Sequence, residues 1–95
     1  MAVLDLLGRR WSLRVLWELR AGPVPTFRVL QAACGGVSSS VLADRLAELS
    51  EAGIVRRDEG GYVLTEEGQS LASSLDGLNA WAVRWAKRTL PAVES

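Results

Sequence analysis

The sequence predicts a single, mainly helical domain with one small β-hairpin, on three observations. Short apolar-periodic runs, each bounded by capping residues, fill most of the chain up to Ala52. Two brief β-prone runs, Ile54-Val55-Arg56-Arg57 and Tyr62-Val63-Leu64, then flank a turn at Asp58-Glu59-Gly60-Gly61. A last run from Thr65 keeps helical spacing almost to the end. The stretch that organises the rest is Val37 to Val55. Three serines precede Val41, Leu42, Leu46 and Leu49, which share one helix face. A serine at that place accepts an orphan backbone N–H, and Gly53 stands where a left-handed C-cap closes the run. Small hydroxyl residues at its head and Arg45 on its flank suit a helix laid into a DNA major groove. Capped amphipathic helices are also common in proteins of every kind, so the remaining elements have to decide.

In chain order, Ala2 to Leu7 is a short helical piece, with Val3, Leu4 and Leu7 to one side, broken at Gly8. Ser12 is expected to cap a second helix, Leu13 to Arg20, which Ala21-Gly22-Pro23 ends. Thr26 is expected to cap a third, Phe27 to Cys34, with Phe27, Leu30 and Gln31 at helical spacing. Gly35-Gly36 turns the chain into the central helix, Ser39 to Ala52. Helix, short glycine turn, helix is helix-turn-helix grammar. A hairpin after the second of those helices makes the order that of a winged helix-turn-helix. Thr65 heads the last helix, with Glu66 and Glu67 where the helix dipole favours acids. Its stripe is Leu71, Leu75, Leu78, Trp81 or Ala82, and Trp85, and Pro91 ends it. At 1.5 Å per residue it is roughly 36 Å long. Its far half, Trp81 to Leu90, is expected to project past its own core and to bury its stripe on a second copy. Intrachain packing of Trp81 and Trp85 is the other reading.

Composition narrows the function. A chain of 95 residues makes one domain and buries only about two-thirds of its surface. Yet 48% of its residues are hydrophobic and four are tryptophan, an apolar load that favours an oligomer. The formal charge of zero neither favours nor excludes nucleic acid. Its distribution is uneven: from Arg9 to Arg57, eight arginines stand against four acids. Ten of the eleven bases are arginine, which suits forked contacts to phosphate and guanine, although a GC-rich genome gives the same bias. The single cysteine, Cys34, placed after the third helix, allows no internal disulfide and fits a reducing compartment. Without a membrane-length apolar run or a signal-peptide layout, a cytoplasmic protein is expected. The chain has no histidine, which excludes histidine-based triads and metal sites. No phosphate loop or nucleophile–base pair is visible, so neither an enzyme nor a cofactor is expected.

Five segments, in order, carry a family resemblance. Leu4-Asp5-Leu6-Leu7-Gly8-Arg9-Arg10-Trp11 is a leucine-rich opening that ends in glycine, base and tryptophan. Gly22-Pro23 is followed by Phe27 and Leu30. Gly36-Val37-Ser38, Leu42, Arg45-Leu46, Glu48-Leu49 and Ala52-Gly53-Ile54-Val55 span the central helix. Tyr62 to Leu64, Thr65 and Gly68 read Tyr-x-Leu-Thr-x-x-Gly. Leu75-Asp76, Leu78, Ala80-Trp81 and Trp85 mark the last helix. Together they resemble the HxlR-type winged helix-turn-helix transcription regulators, relatives of the MarR group. The resemblance implies a bacterial, homodimeric, DNA-binding regulator on a palindromic operator. Within one domain over 1–95, residues 1–8 and 66–90 would then be dimerisation helices. Their interface residues would be Val3, Leu4, Leu7, Leu78, Trp81 and Trp85. Relatives usually open with a longer segment that carries a Cys-Pro pair, in some members an oxidant sensor. This sequence opens at Met1-Ala2-Val3 without it, and Cys34 does not inherit that role. Relatives often have a longer wing loop with proline and arginine, whereas the tip here holds Asp58 and Glu59, which are poor phosphate ligands.

Candidate DNA contacts follow from the central helix and its neighbours. Ser38, Ser39 and Ser40 can bond phosphate or base edges; Ser38 and Ser39 fit capping better, and Ser40 contact. Opposite Leu42 and Leu46 lie Ser40, Asp44 and Ala47, with Ala43 beside them. Ala43 can pack on a thymine methyl, and Asp44 can accept from cytosine N4 or simply sit in solvent. Arg45 leads by family position and charge; its alternative is a bridge to Glu48 or Glu18. Strand alternation places Arg56 and Arg57 on opposite faces, one toward phosphate and one toward a surface acid. Arg28, in the first turn of the third helix, is placed as a backbone clamp, and Arg9 and Arg10 can touch phosphate or end the first helix. Trp11 and Trp17 read most simply as core. A second reading puts Trp11, Trp81 and Trp85 around a dimer cavity for a small-molecule effector, aromatic or cationic. The partners expected are therefore double-stranded DNA, a second copy and such an effector, with no membrane. A winged helix that binds protein instead of DNA is the alternative, which the neutral charge and acidic wing tip favour.

Overall fold

The computed structural model describes residues 2–89, with side chains from Leu4 onward. Val3 as a side chain, and the expected helix end at Leu90-Pro91, lie outside the described residues. The order is α1 (Ala2–Leu7), α2 (Ser12–Leu19), α3 (Phe27–Cys34), α4 (Ser39–Glu51), β1 (Val55–Asp58), β2 (Gly61–Leu64) and α5 (Glu66–Thr89). A mostly helical chain with one antiparallel hairpin after a helix-turn-helix is a winged helix-turn-helix, as the element order predicts.

Local chemistry sets most boundaries. Thr26 Oγ1 accepts from Val29 N at 3.1 Å, and Ser38 Oγ accepts from Val41 N at 3.3 Å, so both helices start on a hydroxyl cap. Thr65 Oγ1 accepts from Gly68 N at 3.0 Å at the head of α5. The same hydroxyl donates back to the Gly53 carbonyl, so one side chain closes the end of α4 onto the start of α5. Gly53 has φ 78°, the left-handed C-cap conformation that a residue without Cβ adopts at little cost.

The expected cap at Ser12 is not one. Ser12 is already inside α2 and fully buried, and Trp11 holds the cap position with φ 79° and no side-chain cap bond. The cause is tertiary. The turn closes through Ser12 N to Arg9 O at 3.1 Å. The Trp11 ring reaches Gly36, its edge 3.9 Å from where a Cβ on that glycine would stand. Packing of the indole across the helix-turn-helix outweighs the ordinary preference for a polar cap and offsets a left-handed backbone cost of about 1–2 kcal/mol.

The core is one cluster centred on α2. Val15, Leu16 and Leu19 meet Leu30 and Cys34 of α3, Leu42, Leu46 and Leu49 of α4, and Ile54, Val55, Leu64 and Ala72 beyond. Cys34 is the last residue of α3, where the helix was expected to end, and is buried. The hairpin pairs Val55 with Leu64 and Asp58 with Gly61, leaving a two-residue turn at Glu59-Gly60. Its root is tied to the α2–α3 linker: Val24 and Tyr62 exchange backbone hydrogen bonds of 3.0 and 2.8 Å.

In α5 only Gly68 and Ala72 are buried, and Leu71 and Leu75 pack partly on the core. Beyond them Leu78, Trp81 and Trp85 are exposed, Trp81 by 53% and Trp85 by 41%, so the intrachain-core reading of these tryptophans does not hold. The two rings stack with centroids 6.2 Å apart at 12°. This projection stretches the molecule to 44 × 27 × 23 Å.

Candidate nucleic-acid interface

α4 buries Leu42, Leu46 and Leu49 and leaves Ser39, Ser40, Ala43, Asp44 and Ala47 exposed, the face expected from helical spacing. The three serines at its head have different duties. Ser38 caps the helix. Ser39 is engaged by Gln31 of α3, whose Nε2 donates to Ser39 Oγ at 3.2 Å and to the Val37 carbonyl at 3.1 Å. Ser40 keeps only a 3.5 Å contact with Ser38 Oγ and is the hydroxyl left facing outward. Gln31 therefore locks the turn into α4. Its place one turn before Gly35-Gly36 was the only hint of this in the sequence.

The arginines that make this half of the chain basic are mostly committed to the fold. Arg14 pairs with Glu18 at 2.9 Å and donates to the Ala33 carbonyl at 3.1 Å, pinning α2 to α3. Arg20 lies 3.6 Å over the Trp17 ring and 3.6 Å from Asp76 of α5. Arg45, the leading candidate, has a side chain only 14% exposed, and its Nε is 3.2 Å from Glu48 Oε1. Its guanidinium is drawn to the flank of α4 instead of the outward face, the alternative weighed above. Arg9 approaches the same Glu48 oxygen at 3.7 Å.

Of the two wing arginines, one meets the expected surface acid. Arg56 meets a surface acid, Asp58, at 2.8 Å, while Asp58 Oδ1 also accepts from Gly60 N at 2.8 Å and shapes the turn. Arg57 lies 5.0 Å over the Tyr62 ring with its charge unneutralised. Among the described residues between Arg9 and Arg57, only Arg10, Arg28 and Arg57 make no ion pair. Arg28 is exposed in the first turn of α3, and Arg10 lies 5.5 Å over Trp11.

Of the expected interface residues, Leu4 and Leu78 are exposed with Trp81 and Trp85, whereas Leu7 is partly buried on its own core. Trp11 also packs partly on that core, and Trp17 lines an open groove with Leu13, Leu75, Leu78 and Ala82. Cys34 is held as a buried thiol. Burial pushes its thiol above the usual range, Glu18 adds to the rise, and Arg14 opposes it. The expected outcome is slow alkylation by iodoacetamide at pH 8 in the folded protein and rapid reaction in denaturant; equal rates would show that the thiol is open. Since the folded chain holds this proton more tightly than the unfolded one, the associated stability is full at neutral pH. It falls as pH rises past the ordinary thiol value.

The model of the HxlR-like helix-turn-helix family matches residues 6–90. The chain belongs to that family. Among curated relatives, the uncharacterized HTH-type transcriptional regulator YvaP of Bacillus subtilis is 34% identical over 85% of this chain and 81% of its own length. An HTH-type regulator of Methanocaldococcus jannaschii is 27% identical over 98% of this chain and 91% of its own. Among solved structures, quinone-bound YodB from B. subtilis superposes with a TM-score of 0.79 at 34% identity, covering 87% of this chain and 93% of that one. An HxlR-family factor from Thermoplasma volcanium gives 0.80 at 28% identity, over 92% and 84%. This HxlR-like protein is thus a helix-turn-helix transcription regulator, which implies DNA as its partner, and not an enzyme. No helix among its described residues is long and apolar enough to cross a membrane.

Proposed function

We propose that this regulator binds a palindromic operator as a homodimer, with α4 of each protomer in successive major grooves about 34 Å apart. The observation that carries the reading is the outward face of α4. Ser40, Ala43, Asp44 and Ala47 lie uncovered behind a serine-capped helix start, while Leu42, Leu46 and Leu49 on the opposite face are packed into the core. Arg28 of α3 and Arg57 of β1, without an ion pair among the described residues, supply phosphate clamps. Asp44 is the formal charge beside Ser40, Ala43 and Ala47 and favours cytosine through its N4 donor. Ser38 and Ser39 support the helix, and Arg56, neutralised by Asp58, contributes little to DNA.

The second copy covers Leu4, Leu78, Trp81 and Trp85. A small-molecule effector at the subunit boundary belongs to the same reading. Leu13, Trp17, Leu75 and Leu78 line an open apolar groove there, and the similar YodB exists in a quinone-bound form.

The test is fluorescence anisotropy with duplexes from the region upstream of its own gene and with a random duplex, at two salt concentrations. Selective binding that weakens steeply with salt is expected. Arg28→Ala is expected to weaken both duplexes alike and to reduce the log–log salt slope by about one, the signature of a lost phosphate contact. A folded protein that binds neither duplex would shift the reading to a winged helix that recognises protein.

A further inference from the structure

We propose that Glu48 controls how Arg45 meets DNA, as a single carboxylate shared between α4 and the turn that follows α1. This rests on the DNA-binding reading of α4. Arg45 Nε and Arg9 Nε approach the same atom, Glu48 Oε1, at 3.2 and 3.7 Å. Arg45 and Glu48 lie one turn apart on α4, whereas Arg9 follows α1. Glu48 sits in a cleft of about 370 Å³ between these elements, lined also by Asp5, Leu6, Glu51 and Ala52. One carboxylate neutralises one guanidinium, so the two arginines compete for it.

The hold on Arg45 is also loose. Arg45 Nε and Glu48 Oε1 are both shut away from solvent, yet neither has an aligned hydrogen bond. They attract as charges without the directional bond that makes such a pair strong. A phosphate can therefore take Arg45 from Glu48 at low cost, provided Arg9 remains to neutralise the carboxylate left behind. Movement of α1 toward α4 tightens Arg9 on Glu48 and frees Arg45, and movement away returns Arg45 to its flank. Leu4 of α1 is 61% exposed and lies on the face assigned to the second copy. Whatever shifts α1 at that boundary, including an effector, reaches the DNA-reading helix through this oxygen.

The test compares Glu48→Gln, Arg9→Ala, Arg45→Ala and their pairwise combinations on a random duplex over a salt series, with melting temperature confirming that each is folded. Glu48→Gln frees Arg45 and is expected to tighten binding roughly fivefold at low salt and to steepen the log–log slope by about 0.9, one added phosphate contact. In the Arg45→Ala background the same substitution should leave the slope unchanged. Arg9→Ala, at a side chain more exposed than either partner, should weaken binding about threefold in the wild-type background and not at all beside Glu48→Gln. Glu51→Gln removes an equal charge from the same cleft and sets the effect of net charge alone. A Glu48→Gln slope no steeper than that of Glu51→Gln, or one that persists without Arg45, would overturn the proposal while leaving DNA binding intact. Absence of salt-dependent binding by the wild-type protein would overturn both.

Discussion

Replacing Gly68 by alanine is expected to destabilise the domain by about 2–4 kcal/mol, although alanine is the better helix former by about 1 kcal/mol. Gly68 lies in the first turn of α5 with its flank against the chain that enters the wing. A Cβ there would collide with the Ile54 carbonyl oxygen and stand 3.1 Å from Leu64 Cβ and 3.2 Å from the Ile54 carbonyl carbon. That carbonyl has nowhere to go. It accepts from Thr65 N at 3.0 Å and from Thr65 Oγ1 at 3.2 Å, and the next residue starts β1. The collision therefore either pushes α5 off the wing root or breaks the Thr65 lock that joins α4 to α5. In a domain of this size the loss corresponds to a melting point lower by about 10–20 °C. Gly77 supplies the contrast, since it lies on the same helix with nothing within 4 Å of an added Cβ. Gly77→Ala is expected to stabilise by about 0.5–1 kcal/mol. Urea unfolding of the two variants checks both signs. A Gly68→Ala protein as stable as wild type would mean that α5 is not seated where the wing root requires.

For the homodimer proposed above, Trp81→Glu is expected to give monomers, with self-association weakened at least about thirtyfold, the scale of a lost interface anchor. Trp81 is 53% exposed on a helix whose inner half alone reaches the core. Its ring stacks on Trp85, and with Leu78 the pair forms a rigid apolar stripe that costs free energy in water. A charge in the middle of that stripe would be buried without a partner in the dimer. The same exposure means that the protomer itself loses little, so far-UV circular dichroism should hardly change. Light scattering at micromolar concentration gives the answer. Dimers that persist would place the interface elsewhere, with Leu4→Glu as the next variant.

How much of this was readable beforehand depends on how local the cause is. Thr26, Ser38 and Thr65 were legible as caps because a hydroxyl two or three residues before an apolar run reaches its own backbone N–H wherever the helix ends up. The outward residues Ser40, Ala43, Asp44 and Ala47 followed from spacing alone, since one buried face of a helix defines the other. The hairpin was legible from two β-prone runs around Asp58-Glu59-Gly60-Gly61, and only its ends moved, because Asp58 and Gly61 pair across the strands and leave a shorter turn.

The arginines show where that reasoning stops. Arg28, Arg45 and Arg56 are alike as letters, and with eight arginines against four acids from Arg9 to Arg57 some must stay unpaired there. Which arginine stays free depends on which carboxylate the fold brings within 4 Å. Glu48 lies one turn from Arg45 on α4 and Asp58 two residues from Arg56 on β1, so those pairs follow from spacing, whereas Arg9 reaches Glu48 and Arg20 reaches Asp76 only because the fold brings distant segments together. Ser12 failed as a cap for the same kind of reason: the position of the Trp11 ring on Gly36 shifted the helix start by one residue.

The sequence by itself therefore determined the kinds of element, their order and the face each turns to the core, because periodicity and capping act within a few residues. The tertiary structure alone decided that Arg9 reaches Glu48, that Arg20 reaches Asp76, that Arg14 reaches the Ala33 carbonyl, and that Trp11 heads α2 in place of Ser12. Those outcomes depend on distances between segments far apart in the chain, and a Coulomb or packing contact exists only once those distances are set.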